Sequence, residues 1–424
     1  MKLRNYQSAA VQKLIENKKF ILADDMGLGK TATAINTVAS LSAYPCLVVC
    51  PASVKYNWAR EIYNWTGDSS IVLGGRTVYP VCASKFYIIN YDVLDAWADH
   101  LQEIGFKYVV FDECHYIRNY NKRTRASVSI ARKCDRVALL SGTPVINGSQ
   151  DLYSYFKIVA PAMFKNKDEF CYKFCRQRLN PWTHRLEYYG SKNDAELNKI
   201  LHQFILRRRK EDVLDELPAK NRIPIYVDCK SKEYAINFDD EGNVEMQLSR
   251  VMSALAADKL PFVYQFVDDF ISTGNKILIG VRHIKIADAL ISHFGNRAVL
   301  INGSVSPAAR QVAVDRFNND KTCQVLVGNL QAAGEGINLQ KNCSTVAFVE
   351  LPFTASNLLQ FEDRVYRLGQ TSNVNIYFFV AENTVDEVLK NILVTKANRV
   401  DKIVEDSKSD TLRDLVSILK GSRV

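Results

Sequence analysis

None of the ten cysteines forms a C-x-x-C pair, so neither a zinc knuckle nor a disulfide scaffold is supported. Cys46 and Cys50 fall inside apolar runs, and Cys171 and Cys175 stand one helical turn apart in a basic segment, where buried or incidental thiols explain them better than a metal. A reducing, intracellular setting follows. No apolar run approaches the roughly 18–20 residues of a membrane span. The opening MKLRNYQSAAVQKL has basic residues but no apolar signal core, so secretion is not expected and a cytoplasmic location is, with the nucleus left open. A long Pro- or Ser-rich linker and a short-period repeat are also missing. What is present is a chain of 424 residues, 47% hydrophobic and 24% charged, long enough for two to three domains of about 150 residues each. Its net charge of +9 favours a polyanionic partner without proving one.

The most informative stretch is FILADDMGLGKT, residues 20–31. Phe20 to Ala23 reads as a buried strand, which breaks into Gly27-Leu28-Gly29-Lys30-Thr31; Ala34, Ile35 and Val38 then read as a helix. Strand, glycine loop, Lys-Thr and helix is the order that cradles phosphates. Glycines let backbone N–H groups come close, and the helix N-terminus adds partial positive charge. Lys30 would reach the β- and γ-phosphates, and Thr31 would hold Mg²⁺. Asp24 stands where the general pattern has its first Gly, so an unliganded glycine turn stays open on this stretch alone. Upstream, the amide of Gln7 offers the donor and acceptor that adenine needs, although an ordinary solvated glutamine is the simpler reading in isolation.

Further along, CLVVCPASVKYNWARE reads as a strand ending at Pro51 and a loop where α/β sheets bind ligands. Ser53 there is either a phosphate-backbone contact or a helix cap. A strand over 85–90 leads to Tyr91. Tyr108 to Phe111 runs into Asp112-Glu113-Cys114-His115, which sets two carboxylates on the sheet edge facing the phosphate loop. Asp112 suits Mg²⁺ and Glu113 suits a base that orients the attacking water, with a capping acidic pair as the plainer alternative. Ser141 and Thr143 follow the next strand and would bond to that acidic loop, passing on the phosphate state. Residues 147–212 are aromatic and basic with helical spacing, and are expected to form a helical insertion. Its Lys165, Lys167, Lys173, Arg176, Arg178, Arg185 and the run Arg207-Arg208-Arg209-Lys210 suit sugar-phosphate contact or a solvated charged face. Strand character returns over 222–228.

Residues 231–272 read as helical, and a second strand-helix series begins with KILIGV, AVLING, QVLVGN, TVAFVEL and NVNIYFFV. The expected fold is therefore α/β, with two doubly wound parallel-sheet lobes and helical insertions. The lobes are expected at 1–230 and 231–424, with a helical tail over 385–424. The second has no phosphate loop. Its Gln360, Arg364 and Arg367 recur at i, i+4, i+7 and would share one helix face. Guanidiniums there would meet a triphosphate, or would be salt-bridged to Glu362 and Asp363.

LRNYQ, DDMGLGKT, LVVCPASVKYNWARE, IINYDVL, VVFDECH, LLSGTPVINGS, LRRRKEDVLDELPAK, INGSVSPAARQVAVDRF, AGEGINL and QFEDRVYRLGQ occur in this order. The set resembles the Swi/Snf family of helicase superfamily 2 over about residues 3 to 390, most closely its compact members, the annealing helicases and small phage or bacterial versions. The resemblance implies two RecA-like lobes, ATP in the cleft, and translocation along double-stranded DNA rather than efficient strand separation. Carried over by position, Gln7 reads adenine and Asp24, Asp25, Met26, Gly27, Leu28, Gly29, Lys30 and Thr31 form the phosphate loop. Asp112 and Glu113 handle Mg²⁺ and water, with Thr31 on the metal. Gln360, Arg364 and Arg367 complete catalysis, and Gly336 joins the nucleotide contacts. Ser53, Lys55, Tyr91, Arg282, His283 and Asn338 fall in motifs that touch DNA in relatives. Cys114, Phe353 and Ala355-Ser356 depart from the family pattern. A monomer acting on duplex DNA, forks or junctions is expected, with targeting supplied by a partner protein or by DNA structure. A fork-remodelling or annealing helicase and an ATP-gated DNA clamp are the alternatives, with RNA as a weaker choice of track.

Overall fold

The structure, a computed structural model, describes residues 2–118, 121–142, 149–179, 186–214, 217–229, 244–330, 333, 337–398 and 408–421. The chain separates into two compact units between Asp215 and Glu216. Among the described residues, no helix is long and apolar enough to cross a membrane.

The first unit begins with α1 (Asn5–Glu16), β1 (Lys19–Leu22), α2 (Lys30–Leu41), β2 (Cys46–Cys50), α3 (Lys55–Thr66), β3 (Ser70–Val72), β4 (Phe86–Asn90), α4 (Leu94–Ile104), β5 (Tyr108–Phe111), α5 (Lys122–Lys133) and β6 (Arg136–Leu140). It continues with α6 (Leu152–Val159), α7 (Lys167–Phe174), β7 (Arg176–Leu179), β8 (Leu186–Tyr189), α8 (Asp194–Leu201), β9 (Ile205–Leu206) and α9 (Lys210–Val213). Seven strands form one parallel sheet in the order β3-β4-β2-β5-β6-β1-β9. CLVVC, FYIIN and YVVF are buried at every position, as strands covered on both faces must be. One face packs under Trp97, Leu101 and Phe156, the other under Leu14, Ile35 and Trp58.

The stretch expected to be a helical insertion is not purely helical. It holds α6 to α9, but also the antiparallel β7–β8 ribbon and β9, which pairs with β1 at Ile21↔Ile205 and Leu22↔Leu206. Phe156, Phe164, Phe170 and Phe174 pack edge-on or tilted against one another at 5.0–6.0 Å and belong to the same core as Trp97. This region completes the first unit's core and its sheet.

The second unit holds β10 (Lys220–Val227), α10 (Val244–Ser272), β11 (Ile277–Val281), α11 (Ile284–Phe294), β12 (Ala298–Ile301), α12 (Pro307–Asn319), β13 (Val325–Asn329), β14 (Thr345–Phe348), α13 (Ala355–Glu362), β15 (Val374–Ala381), α14 (Val385–Asn398) and α15 (Lys408–Gly421). Its six strands are all parallel, in the order β10-β15-β14-β11-β13-β12. The strand at 220–227 pairs with β15, so the division between units falls ahead of the 230/231 boundary expected from sequence. Nothing in the apolar pattern of RIPIYV says which sheet receives it.

Two glycines shape this sheet. Gly280 and Gly328 are register partners on β11 and β13. A Cβ on Gly328 would meet Ala333 Cβ at 2.6 Å and Phe361 at 3.2 Å; one on Gly280 would meet Leu330 at 2.8 Å and Phe361 at 3.0 Å. The bare backbone is the seat for Phe361 of α13, and so sets the height of the helix that leads to Arg364.

Candidate nucleotide site and its flanks

In a parallel sheet every loop at the strands' C-terminal ends lies on one edge, where ligands are bound. In the first unit this edge gathers the loop after β1, Ser53 after β2, Tyr91 after β4, Asp112 and Glu113 after β5, and Ser141 after β6. β1 and β5 are separated only by β6, about 10 Å across the sheet.

Gly27 and Gly29 both take φ +80°, and Gly29 caps α2 in a left-handed conformation. A Cβ at Gly29 would overlap the Gln7 amide nitrogen. Lys30 extends back into its own loop. Its Nζ donates to the carbonyls of Asp24 at 2.6 Å and Asp25 at 3.2 Å, and it has no carboxylate partner among the described residues. The first N–H groups of α2 lack intrahelical acceptors, as at any helix start. A cation held only by carbonyls beside such donors is a cradle for a polyphosphate. Gln7 is buried on α1. Its Nε2 donates to Leu28 O at 3.1 Å, and its Oε1 accepts from the Arg4 N–H at 3.0 Å. One amide N–H and one lone pair remain for a base.

Asp24, where the general pattern has glycine, is almost wholly buried. It receives the Arg208 guanidinium on both oxygens, Nε at 3.0 Å and Nη2 closer still. Arg208 also donates to Tyr6 O and lies 5.3 Å over the Tyr6 ring. The Lys210 N–H donates to Asp25 Oδ2 at 3.2 Å, and the Lys210 side chain is buried. Two members of the basic run 207–210, which on sequence suit sugar-phosphate contact or a solvated face, therefore brace the phosphate loop from the segment after β9. The acid at 24 and Arg208 lie 184 residues apart, and neither announces the other in the sequence.

The acidic corner is equally specific. Asp112 Oδ2 accepts from Trp58 Nε1 at 2.7 Å, and Oδ1 from the Glu113 N–H at 3.0 Å. Burial, reinforced by the neighbouring Glu113 charge, pushes the Asp112 carboxyl up to about 7, against the pull of Trp58 and Lys30. Glu113 adopts φ 48°, ψ 56°, a left-handed backbone that costs a non-glycine residue about 1 kcal/mol, and its Oε2 lies 3.2 Å from His115 Nδ1. Trp58 is not singled out by the sequence. The only hint is an indole at a helix start, which when buried needs an acceptor.

The other predicted residues of this unit fall out as follows. Ser53 is half-buried in a single 3₁₀ turn (Ala52–Val54); Lys55 is half-buried, with Nζ on Leu73 O at 2.9 Å and its pKa lowered by burial. Tyr91, expected to touch DNA, is 1% exposed, donates to Asp112 O at 2.7 Å and stacks on Tyr116 at 5.4 Å. A ring so enclosed fixes the acidic loop. Ser141 is buried, its N–H on Leu22 O at 3.2 Å. Thr143 lies outside the described residues, as does Gly336.

In the second unit, Arg282 and His283 follow β11. Both backbone N–H groups donate to Glu350 Oε2, at 2.8 and 2.9 Å, and His283 Nδ1 bonds Glu350 Oε1. His283 Nε2 meets Ser249 Oγ at 2.9 Å, tying β11 to α10. Burial pushes the Glu350 carboxyl up, but the His283 ring and the two N–H groups outweigh it and hold it below the usual range. The Arg282 guanidinium lies 3.9 Å over the Phe353 ring. Phe353, a departure from the family pattern, thus keeps a π face for an arginine.

Gln360, Arg364 and Arg367 do not share one helix: α13 ends at Glu362, and a series of turns carries the two arginines. The helix stops where Glu362 is buried against β10. It accepts from Arg222 Nε and Nη2, each at 2.8 Å, and from Lys220 at 3.2 Å. Glu362 therefore belongs to a buried ion-pair cluster, not to an exposed salt-bridged face. Arg364 Nε donates to Gln360 O at 2.9 Å, and Arg367 donates to Asn338 Oδ1. Two residues expected in different roles, Arg367 and Asn338, are bonded partners.

A phosphate loop, an acidic strand end and an arginine-bearing turn on two parallel-sheet units define a helicase-type α/β protein. A family model described as SNF2-related domain matches residues 6–256, and one described as Helicase conserved C-terminal domain matches 258–369. The chain belongs to the SNF2-related family. It is 32% identical over 397 residues to the Xenopus laevis SWI/SNF-related matrix-associated actin-dependent regulator of chromatin subfamily A-like protein 1, covering 88% of this chain and 41% of that protein. It is 30% identical over 416 residues to the human DNA annealing helicase and endonuclease ZRANB3, covering 91% of this chain and 38% of that one. The chain thus spans about two-fifths of the length of these curated relatives. The solved Sulfolobus solfataricus SWI2/SNF2 ATPase core in complex with dsDNA is 23% identical, with 99% of this chain and 96% of that chain covered and a TM-score of 0.47.

Proposed function

We propose that the chain is a DNA-stimulated ATPase that translocates along double-stranded DNA. The observation that carries the proposal is the ammonium of Lys30, lodged among the carbonyls of its own glycine loop, close enough to act on the Asp112 carboxyl but in no ion pair among the described residues. ATP is the proposed nucleotide. Lys30 and the α2 N-terminus bind its phosphates, Gln7 reads the base, and Glu113 orients the attacking water. Mg²⁺ fits the acidic corner, because a carboxyl raised to about 7 by burial and a second acid lacks positive charge that a divalent cation supplies. Asp112 and Thr31 would hold it, and it would neutralise charge on the transferring phosphoryl group. Arg364 and Arg367 are the proposed arginine fingers; Arg367 must leave Asn338 to act. Ser53, Lys55, Arg282, His283 and Asn338 are the proposed DNA contacts.

Lys30→Ala is expected to abolish turnover. Glu113→Gln is expected to bind ATP with near-unchanged affinity and lose hydrolysis, read by nucleotide binding beside a phosphate-release assay. Arg367→Ala should keep binding and lose about 10³-fold in rate; near-wild-type turnover would remove the finger assignment. Fork remodelling or annealing is the second reading, favoured by the named activity of the human relative. Triplex displacement on plain duplex supports translocation, and unwinding of forked DNA without it supports the second reading.

A further inference from the structure

We propose that Trp58 is a positioning residue that carries DNA contact to the acidic corner. A phosphate backbone seated on Ser53 and Lys55 moves the first turn of α3, and the Trp58 indole turns the Asp112 carboxylate with it. The inference rests on the DNA-motor reading and deepens it by naming the side chain through which duplex DNA changes the nucleotide site.

The path from the proposed DNA contacts to the indole has little slack. The 3₁₀ turn Ala52–Val54 runs directly into α3 at Lys55, so Ser53 and Trp58 lie on one continuous turn and helix. Val54 and Trp58 are both buried in the same core, with Val48, Cys50 and Ile62. Trp58 and Ile62, at i and i+4, form the inner face of α3, while Tyr56 and Tyr63 are exposed on its outer side. On the solvent side of the turn, Ser53 is half-buried. The Lys55 Nζ donates to Leu73 O at 2.9 Å and has no carboxylate partner among the described residues. A phosphate oxygen is a stronger acceptor for an ammonium than a carbonyl is, so DNA draws Lys55 off Leu73 and shifts the turn that carries it.

At the other end the indole meets a carboxylate whose orientation is set by two donors. Trp58 Nε1 holds Oδ2 at 2.7 Å, and the Glu113 N–H holds Oδ1 at 3.0 Å. The main chain beneath is tied to the sheet and its rim. The Asp112 N–H donates to Val49 O at 2.8 Å, and the Asp112 carbonyl accepts from Tyr91 Oη at 2.7 Å. Among these four holds, the indole alone comes from the segment that carries Ser53 and Lys55. A carboxylate offers about four lone-pair sites, so those left by the two N–H groups are the ones that can face Mg²⁺. Removing a donor behind a ligating side chain typically costs about 10–100-fold in metal affinity. An indole packed in a core and hinged on only two torsions is a stiff arm for that task.

The test measures, without hydrolysis, how plain duplex DNA changes the affinity of the intact chain for a Mg²⁺-bound, non-hydrolysable ATP analogue. Linkage requires the same factor in reverse, as the change the analogue makes to duplex affinity. The wild-type chain is expected to show a factor of about ten. Trp58→Phe keeps an aromatic ring in the core but offers Asp112 no N–H. It should bind duplex alone within about two-fold of wild type and bring the coupling factor to within about two-fold of one. Trp65→Phe removes an indole from the same helix, one whose N–H bonds Glu61 at 3.2 Å, and should keep the wild-type factor. That control separates the loss of one hydrogen bond from a loosening of α3. Lys55→Ala approaches from the DNA end and, at saturating duplex, should also lower the factor, which decides the matter if Trp58→Phe does not fold. A wild-type factor retained by Trp58→Phe or by Lys55→Ala overturns the proposal. So does an equal loss in Trp65→Phe, or a factor near one in the wild-type chain. If duplex DNA fails to stimulate wild-type hydrolysis, the motor reading falls, while the binding measurement still decides the role of Trp58.

Discussion

Glu113 occupies a left-handed backbone beside a carboxyl whose burial disfavours its charge, two costs concentrated in adjacent residues of one loop. Such costs are tolerated where they position chemistry. The Asp112 carboxyl is raised in the fold, so the folded state holds a proton that the unfolded chain has released between about pH 4 and 7. Stability contributed by this group therefore falls as pH rises through that window. Asp112→Asn should raise thermal stability by about 1–2 kcal/mol at pH 7.5 without Mg²⁺, with the gain vanishing near pH 4, while turnover is lost. Glu350 has the opposite sign. Its carboxyl is lowered, so its contribution is full above the ordinary value of 4.5 and fades as pH falls through the lowered one. Glu350→Gln should cost about 2 kcal/mol at pH 7, with the difference from wild type shrinking in acid. Gly29→Ala forces a left-handed alanine into the Gln7 amide, and a loss of nucleotide affinity measured by calorimetry should exceed the loss of stability.

Among the elements, buried strands and the glycine loop were the most legible, because apolar runs of about four to eight residues, rich in Val and Ile and stopped by Gly or Asp, are too short for a buried helix and fit a strand covered on both faces. KILIGV, QVLVGN and NVNIYFFV are strands in the structure, as expected. Distant partners were not legible. Arg208 reads as one more surface cation until it is seen on Asp24, and RIPIYV reads as a strand without saying whose. The helix expected over Gln360 to Arg367 failed for a related reason: Glu362 is drawn into the core by Arg222 and Lys220, ending α13 before the arginines. Arg222→Ala leaves that buried carboxylate with Lys220 alone and should cost about 3 kcal/mol in chemical denaturation. Arg222→Met with Glu362→Met should recover much of the loss. Gly328→Ala should cost about 1–3 kcal/mol by forcing Phe361 off its seat.

At the scale of the whole molecule, the phosphate loop among the described residues is in the first unit, while the second offers arginines, an internally bonded His283 and a parallel sheet of its own. Family membership and two parallel-sheet units were readable from the order of motifs, which no single motif could have supported. The DNA structure that the proposed motor would engage was not readable, because phosphate contacts are blind to sequence. The most direct test of the account is the steady-state ATPase rate with and without plain duplex DNA at two salt concentrations, for wild type and Lys30→Ala. The account predicts several-fold stimulation by duplex that weakens as salt rises, and no turnover in the variant. Hydrolysis indifferent to duplex DNA at low salt, or retained by Lys30→Ala, would contradict it.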